Sequence, residues 1–312
     1  MRANEARTAS RWVDQWASLA EGIVTVGDWR SAHRWMWHTW RARGRAAATG
    51  INDALGLTGP DVIQPDIPHA FAGNLGGASI LLVNINPGWN ERLNRIEDAI
   101  VRTSEEASWE FSRRLFTTYP KRVGQMYWWN RCIGIAWRTL KGGPPDGISV
   151  CIKREWANSH IAAVELFPLH SNSAGFLRDY SRPSASTRRM QESIFRGMRA
   201  TLTAALRLSI PLSVVVSKAG TRFVNDMAQS ECWSPISPLP PGLPAGSTVH
   251  RVGSIVVVAI PRPLVTKRSA LPPDVIASAL REVMTGNAAQ GRRAPRRSPC
   301  RGTRHSGRRG RR

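Results

Sequence analysis

The sequence predicts an α/β protein in which helices cover both faces of a central, mainly parallel four-stranded sheet, that is, a three-layer α/β/α sandwich. Two observations lead to this prediction. Four short apolar runs rich in β-branched residues are almost free of charge, which is typical of strands covered on both faces. Segments with helical periodicity separate these runs along the 312 residues, a length that can bury one large core. The runs lie at 79–85, 161–167, 212–216 and 254–260.

Residues 1–55 are predicted to form an N-terminal helical cap rich in tryptophan and arginine. Trp12, Trp16 and Leu19 recur at helical spacing, and a second tryptophan group is interleaved with arginines. Such a segment can stack bases and hold phosphates, or it can pack its tryptophan face on the core. We favour packing because helical periodicity explains most of the positions. The second tryptophan group comprises Trp29, Trp35, Trp37 and Trp40.

Residues 56–285 are predicted to form the α/β domain. A loop rich in Gly, Pro and Asp at 56–78 precedes the first strand, and a Pro-rich loop at 234–247 precedes the last. The clearest helix spans 186–208, where apolar residues repeat every four positions after a start signal at Pro183 and Ser184 or Ser186. A final helix at 273–285 closes the domain.

Positive charge dominates the chain and predicts a polyanionic partner, with DNA first and RNA second. The formal net charge is +22, and the tail at 286–312 has ten arginines and no acidic residue, which leaves +12 on the rest of the chain. This low-complexity tail is predicted to be disordered. The alternative is that the arginines reflect a GC-rich genome, because only five lysines are present.

The four cysteines are predicted to be reduced thiols in a cytoplasmic protein. Their spacing suits neither a zinc site nor an iron–sulfur cluster. No run of 18 apolar residues and no signal-peptide core is present, which argues against a membrane partner. We expect a monomer. The cysteines are Cys132, Cys151, Cys232 and Cys300.

Neither a metal nor a cofactor is expected from the sequence. No glycine-rich nucleotide-binding motif follows a strand. His33 and His38 are five residues apart, which does not place them on one helical face. The acidic pairs Glu97-Asp98 and Glu105-Glu106 are predicted to be solvated, because adjacent residues on a helix do not face each other.

Ligands of open parallel sheets bind beyond the carboxyl ends of the strands, and polar residues follow all four predicted strands. The most informative end is Asn84-Ile-Asn-Pro-Gly-Trp-Asn90. Pro87 fixes one backbone angle and Gly88 allows a base or sugar to approach the main chain. The alternative is an ordinary strand-to-helix turn. The other three ends supply His170, Ser171, Lys218 and Arg262.

The run Ile-Leu-Leu-Val-Asn-Ile-Asn-Pro-Gly at 80–88 resembles the first motif of the uracil-DNA glycosylase superfamily, and is most similar to its mismatch-specific branch. The segment Pro-His-Ala-Phe-Ala-Gly-Asn at 68–74 and the strand end Glu-Leu-Phe-Pro-Leu-His-Ser at 165–171 resemble an uncharacterised bacterial branch of that fold. The resemblance covers residues 65–285 and implies a uracil-DNA glycosylase-like domain.

The resemblance also implies roles for individual residues. Asn86 takes the position that orients the attacking water. An Asn cannot accept the proton of that water, which is tolerable if the glycosidic bond breaks first. Trp89 lies where an aromatic ring walls the pocket or stacks on a flipped base. The predicted base- or DNA-binding residues are Asn84, Pro87, Gly88, Trp89, Ser171 and Lys218, and the predicted catalytic residues are Asn86, His170 and Arg262.

One departure from the family concerns the last strand. The uracil-specific enzymes place His-Pro-Ser-Pro there, whereas this chain has Ile260-Pro-Arg-Pro263. Arg262 can stabilise negative charge on the departing base, or it can contact a phosphate.

The sequence therefore predicts a uracil-DNA glycosylase-like DNA-repair hydrolase that cuts the N-glycosidic bond of a damaged or deaminated base. The first alternative is a catalytically inactive nucleic-acid-binding protein on the same fold. The second is a small-molecule enzyme or an interaction protein whose charge is only compositional.

Overall fold

The computed structural model of the chain describes residues 2–23, 25–85, 88, 97–118, 126–177, 184–261 and 272–290. The helices are α1 (Arg2–Gly22), α2 (Val26–Leu55), α3 (97–101), α4 (Glu105–Arg113), α5 (Leu115–Thr118), α6 (Met126–Lys141), α7 (Val150–His160), α8 (Ala185–Arg207), α9 (Lys218–Ser230) and α10 (Pro273–Gln290). The strands are β1 (Phe71–Gly73), β2 (Ile80–Asn84), β3 (Ile161–Glu165), β4 (Leu212–Val216), β5 (Ser234–Pro235), β6 (Thr248–Val252) and β7 (Ile255–Ile260). The protein is thus a mixed α/β structure, as the sequence predicts.

The described strands form one mixed sheet in the order β1-β3-β2-β4-β7-β6-β5. The four predicted strands are confirmed as its parallel centre, β3-β2-β4-β7. The expectation of a four-stranded sheet is wrong, because β1, β5 and β6 add antiparallel pairs at the two sides. These three strands are too short, or too polar, to show the continuous apolar pattern of a buried strand. Two of them lie inside the segments at 56–78 and 234–247 that were predicted to be loops.

Both faces of the parallel strands are buried, and successive side chains enter two different hydrophobic clusters. In β2, Leu81 and Val83 belong to the first cluster, whereas Ile80 and Leu82 belong to the second. The first cluster contains residues of α1, α2, α8 and α9, and the second contains residues of α6 and α10. Helices therefore bury the strands from both sides, which explains why the strand sequences carry almost no charge.

The predicted N-terminal helices are confirmed, and their tryptophans are buried in the protein core. Trp12, Trp29 and Trp40 are at most 2% exposed, and the Trp16 ring lies edge-on to Phe167 with ring centroids 5.3 Å apart. Packing on the core, the favoured interpretation, is confirmed for these rings. They are not exposed platforms for bases.

Two arginines of α2 pair with acidic residues of α4. Arg30 bonds to Glu106, and Arg34 Nε lies 3.0 Å from Glu105 Oε2. The second pair is partly shielded, since the Glu105 side chain is only 20% exposed. The expectation of a solvated surface is confirmed for Glu106, which is exposed, and is wrong for Glu105, which the neighbouring helix partly covers.

The boundaries of the last two predicted helices are close to those observed. Ser184 caps α8 by accepting a hydrogen bond from the Thr187 amide, as its position before the periodic segment predicts. The helix α10 begins at Pro273 as predicted but continues to Gln290. The predicted disorder is therefore wrong for 286–290, where two alanines favour continuation of the helix. Residues 291–312 lie outside the described residues.

The cysteines and the apolar character of the helices test two further expectations. Cys132 and Cys151 are free thiols, whereas Cys232 is disulfide-bonded, so the expectation of four reduced thiols is wrong at Cys232. Among the helices that the structure describes, none combines the length and the apolar character needed to cross a membrane.

The path of the chain through the sheet positions the site. The chain leaves β2, forms β3 on one side of it, and then crosses over to form β4 on the other side. The direction of the connections reverses between β2 and β4, and open α/β sheets bind their ligands at the carboxyl ends of the strands beside such a reversal.

Candidate functional site

The predicted site residues that the structure describes follow the carboxyl ends of three adjacent parallel strands. Asn84 ends β2, His170 and Ser171 follow β3, and Lys218 follows β4. Gly88 is exposed, and its carbonyl oxygen contacts the His170 ring. The predicted residues Asn86, Pro87, Trp89 and Arg262 lie outside the described residues.

Asn84 and Glu165 form a side-chain pair across β2 and β3, where they are direct neighbours in the parallel register. Asn84 Nδ2 donates a 2.9 Å hydrogen bond to Glu165 Oε1. Glu165 Oε2 is buried and has no hydrogen-bond partner among the described groups. Burial raises the pKa of Glu165 to about 7, although the Asn84 hydrogen bond favours the carboxylate. A carboxyl group that titrates near neutral pH can accept or release a proton, as general acid–base catalysis requires.

His170 connects three parts of the chain at this edge. Its Nε2 lies 3.1 Å from the Ile67 carbonyl oxygen, and its Nδ1 lies 3.3 Å from that of Gly88. Burial lowers the pKa of His170, and the negative charge of Asp66 and the two carbonyl oxygens oppose this effect. This contact joins His170 to Gly88, the last residue of the Asn-Pro-Gly motif.

Two further titratable residues lie beside His170. The rings of His69 and His170 are nearly perpendicular, with centroids 5.1 Å apart, and His69 Nε2 lies 3.9 Å from Glu97 Oε2. All three residues are buried, and one ligand-type atom from each lies within 4.8 Å of the others. Burial lowers the pKa of His69 well below its ordinary value. Burial, with Asp66 and Asp98 adding to it, raises the pKa of Glu97 to about 8.

This three-residue cluster was not predicted from the sequence. The expectation that Glu97 is solvated is wrong, because Glu97 is only 6% exposed. His69, Glu97 and His170 come from the lead-in to β1, from α3 and from the loop after β3, so no short spacing pattern joins them. The one available signal was that His69 and His170 lie in the two segments, 68–74 and 165–171, that resemble the same bacterial branch.

The two remaining described residues have different environments. Ser171 is buried and donates its hydroxyl to the Ser173 carbonyl, while Ser173 bonds to Asp61. This hydroxyl therefore contributes to the loop after β3. Lys218 is exposed in the first turn of α9, whose Ser217 cap accepts a 2.9 Å hydrogen bond from the Gly220 amide.

A basic groove of about 860 Å³ lies beside Pro65, in the segment that leads to His69 of the three-residue cluster. Its cationic residues come from the second half of α2 and from the turn after α3, and Glu5 and Asp53 also line it. Pro65 at its border adjoins Asp66 in sequence. Excess positive charge next to a polar site suits a phosphate backbone. The cationic residues are Arg41, Arg43, Arg45 and Arg102.

Comparisons of the chain with protein families, with curated proteins and with solved structures found no match.

Proposed function

We propose that the protein is a uracil-DNA glycosylase-like hydrolase with a three-layer α/β/α domain, and that it cuts the N-glycosidic bond of a damaged or deaminated base in DNA. The observation that supports this most is the Asn84–Glu165 pair at the carboxyl edge of the parallel strands. Asn84 is only two residues before Asn86, which the family resemblance assigns to orienting water.

Glu165 supplies the proton acceptor that Asn86 cannot be. In this reaction the bond between C1′ and the base nitrogen breaks, and the base leaves with the bonding electrons. The oxygen of the water that Asn86 orients bonds to C1′, and a proton from that water passes to Glu165. The departing base takes up a proton to become neutral. A pKa of about 7 suits Glu165 to this exchange at neutral pH.

In this proposal, DNA is recognised through positive charge and through the Asn-Pro-Gly motif that follows β2. The net charge of +22 favours a polyanion, and the basic groove offers Arg41, Arg43 and Arg45 for phosphate contacts, while its fourth arginine, Arg102, pairs with Asp98. Lys218 adds a cation at the carboxyl end of β4. His170 contacts the Gly88 carbonyl oxygen, at the glycine whose main chain the base and sugar would approach.

A cleavage assay tests the proposal. Duplex and single-stranded oligonucleotides containing uracil, hypoxanthine, xanthine or a G·T mismatch are incubated with the protein, and alkali then reveals abasic sites. We expect strand scission with at least one of these bases. Asn86→Ala and Glu165→Gln should each reduce the rate by a factor of about 100 or more, while salt-sensitive binding remains. Glu155→Gln is the matched control, because the Glu155 side chain is 64% exposed on α7.

The second candidate is a nucleic-acid-binding protein on the same fold that lacks catalysis. Arg262, in place of the family's histidine after the last strand, is the observation that favours it. Binding without scission of any of the oligonucleotides would support this candidate and contradict the first. Scission that persists unchanged in both Asn86→Ala and Glu165→Gln would contradict the assignment of the site.

A further inference from the structure

We propose that His69, Glu97 and His170 together bind one divalent transition-metal ion of the zinc type. The reaction proposed above assigns no role to His69 or Glu97, and the metal proposal does not depend on it. The proposal rests on the identity of the three donor groups, on the distances between them and on the way the structure surrounds them.

The donor set matches that of zinc and its neighbours. Two imidazole nitrogens and one carboxylate oxygen are ligands that Zn²⁺, Co²⁺ and Fe²⁺ accept. The three ligand atoms lie within 4.8 Å of one another, and His69 Nε2 is 3.9 Å from Glu97 Oε2. Zinc bonded at about 2.1 Å to each would bring these atoms to about 3.4 Å apart. Binding of the ion would therefore require the three side chains to move toward one another.

The surroundings of His170 resemble those of a metal-bound histidine. Such a histidine holds the metal with one ring nitrogen and donates its other N–H to a carbonyl or carboxylate oxygen. In His170 both ring nitrogens contact carbonyl oxygens, those of Ile67 and Gly88. Binding of a metal ion by one nitrogen would replace one of these contacts, and the other carbonyl would then accept the remaining N–H.

The electrostatic environment also favours a cation. Asp66 and Asp98 are the charged neighbours that act on both Glu97 and His170, and both carry negative charge. Arg102 neutralises part of this charge, because its Nε lies 2.9 Å from Asp98 Oδ2. Burying a carboxylate without a compensating charge is costly, and a divalent ion supplies that charge.

The position of the cluster indicates what the ion would do. It would join the lead-in to β1, the helix α3 and the loop after β3 at a single point. Three protein ligands also leave a coordination position for water or for the nearby Gly88 carbonyl. Binding of the ion should therefore stabilise the native state against unfolding.

Metal titration of the full-length protein tests the proposal. The chain is purified, treated with a chelator, exchanged into metal-free buffer and titrated with Zn²⁺ or Co²⁺ alone. We expect one equivalent of zinc per chain after gel filtration, measured by elemental analysis, and a rise in Tm. Glu97→Gln keeps the side-chain shape but removes the anionic donor, and it should lose the bound zinc while its circular dichroism is unchanged. The control His38→Ala removes an exposed histidine on α2 and should retain zinc.

Two outcomes would overturn the proposal. One is wild-type protein that binds neither ion. The other is stoichiometric zinc that Glu97→Gln retains, since the ion would then be held elsewhere. If Glu97→Gln does not fold, X-ray absorption of the wild-type zinc form decides. Two imidazoles and oxygen around the ion support the cluster, whereas sulfur ligands overturn it. None of these measurements requires glycosylase activity, so their result is independent of the cleavage assay.

Discussion

Glu165 illustrates how a position in the sheet changes the chemistry of a side chain. It ends β3, is 8% exposed, and receives a hydrogen bond on only one of its two oxygens. In the unfolded chain the carboxyl group has its ordinary pKa of 4.5, whereas burial in the folded protein raises the pKa to about 7. Deprotonation of the buried group therefore opposes folding.

We expect Glu165→Gln to remove this pH dependence. The unfolded state binds fewer protons than the native state between pH 4.5 and 7, so wild-type stability falls as pH rises through that window and then stays level. Relative to wild type, the variant should gain about 3 kcal/mol in unfolding free energy from pH 4.5 to pH 8. Urea unfolding at several pH values measures this difference. Parallel curves for the two proteins would show that Glu165 is ionised in the native state.

His33 is a buried histidine that is neutral in the native state, so acid is expected to destabilise the folded protein. It lies between the Phe71 and Trp109 rings, and its two ring nitrogens have no hydrogen-bond partner in the described part of the chain. Burial, with a smaller effect of Arg30, lowers the pKa of His33 from 6.5 to about 4. As pH falls through this window, the unfolded chain binds a proton that the native state excludes, and stability is lost.

Replacement of His33 by Phe should therefore protect the protein against acid. We expect the stability of His33→Phe relative to wild type to increase by about 2 kcal/mol between pH 7 and pH 4.5. The exposed His38 offers a control, since His38→Gln should follow the wild-type curve. Unfolding by urea at the two pH values gives the comparison. An unchanged difference between His33→Phe and wild type would mean that His33 is charged in the folded protein.

At the scale of elements, close helix packing depends on small residues. A Cβ atom on Gly197 of α8 would lie 2.3 Å from Cζ3 of Trp16 on α1. Trp16 is buried against Phe167 and has little room to move. The absence of a side chain at 197 thus allows α1 to approach α8 and lets the N-terminal helices join the core.

Gly197→Ala should consequently destabilise the protein by about 1–3 kcal/mol, because the added methyl group displaces Trp16 or α1. Gly134→Ala on α6 is a matched control. Its added Cβ would have its nearest contact at 3.4 Å, and alanine is favoured over glycine in a helix by up to about 1 kcal/mol. Thermal unfolding followed by circular dichroism compares the two. Equal effects would show that the α1–α8 contact is loose enough to accept a methyl group.

Some strands could be predicted from their sequences and others could not. The four parallel strands were predictable because burial on both faces leaves a continuous apolar run. The strand β6 was not, since His250 and Arg251 interrupt its pattern and only Val249 is fully buried. The cluster partner Glu97 was also hidden, because its burial depends on residues far away in the chain. Local patterns predict what one segment buries, but not which distant side chains meet it.

At the scale of the whole molecule, the distribution of charge should govern binding to DNA. The tail at 291–312 carries ten arginines, while the rest of the chain retains +12 and the basic groove. Each phosphate contact adds about 0.9 to the slope of log affinity against log salt concentration. The tail is therefore expected to contribute most of the affinity that does not depend on sequence.

Replacement of the ten tail arginines by serine should weaken binding to undamaged DNA and reduce the salt slope by several units. Fluorescence anisotropy with a labelled duplex at several salt concentrations measures both quantities. The serine variant should still show the binding that depends on the groove, and Arg41→Ala combined with Arg43→Ala should then reduce it further. A salt slope unaffected by the serine substitutions would show that the tail makes no phosphate contacts.

The outermost strands of the sheet have a consequence for the behaviour of the protein at high concentration. On one side β5 has only two residues, the second of which is Pro235, and on the other side β1 has only three. A proline has no N–H to offer, and so short an edge cannot template a strand from another molecule. The valine-rich central strands, whose sequences would aggregate readily if left open, are thereby shielded from edge-to-edge association while the chain is folded.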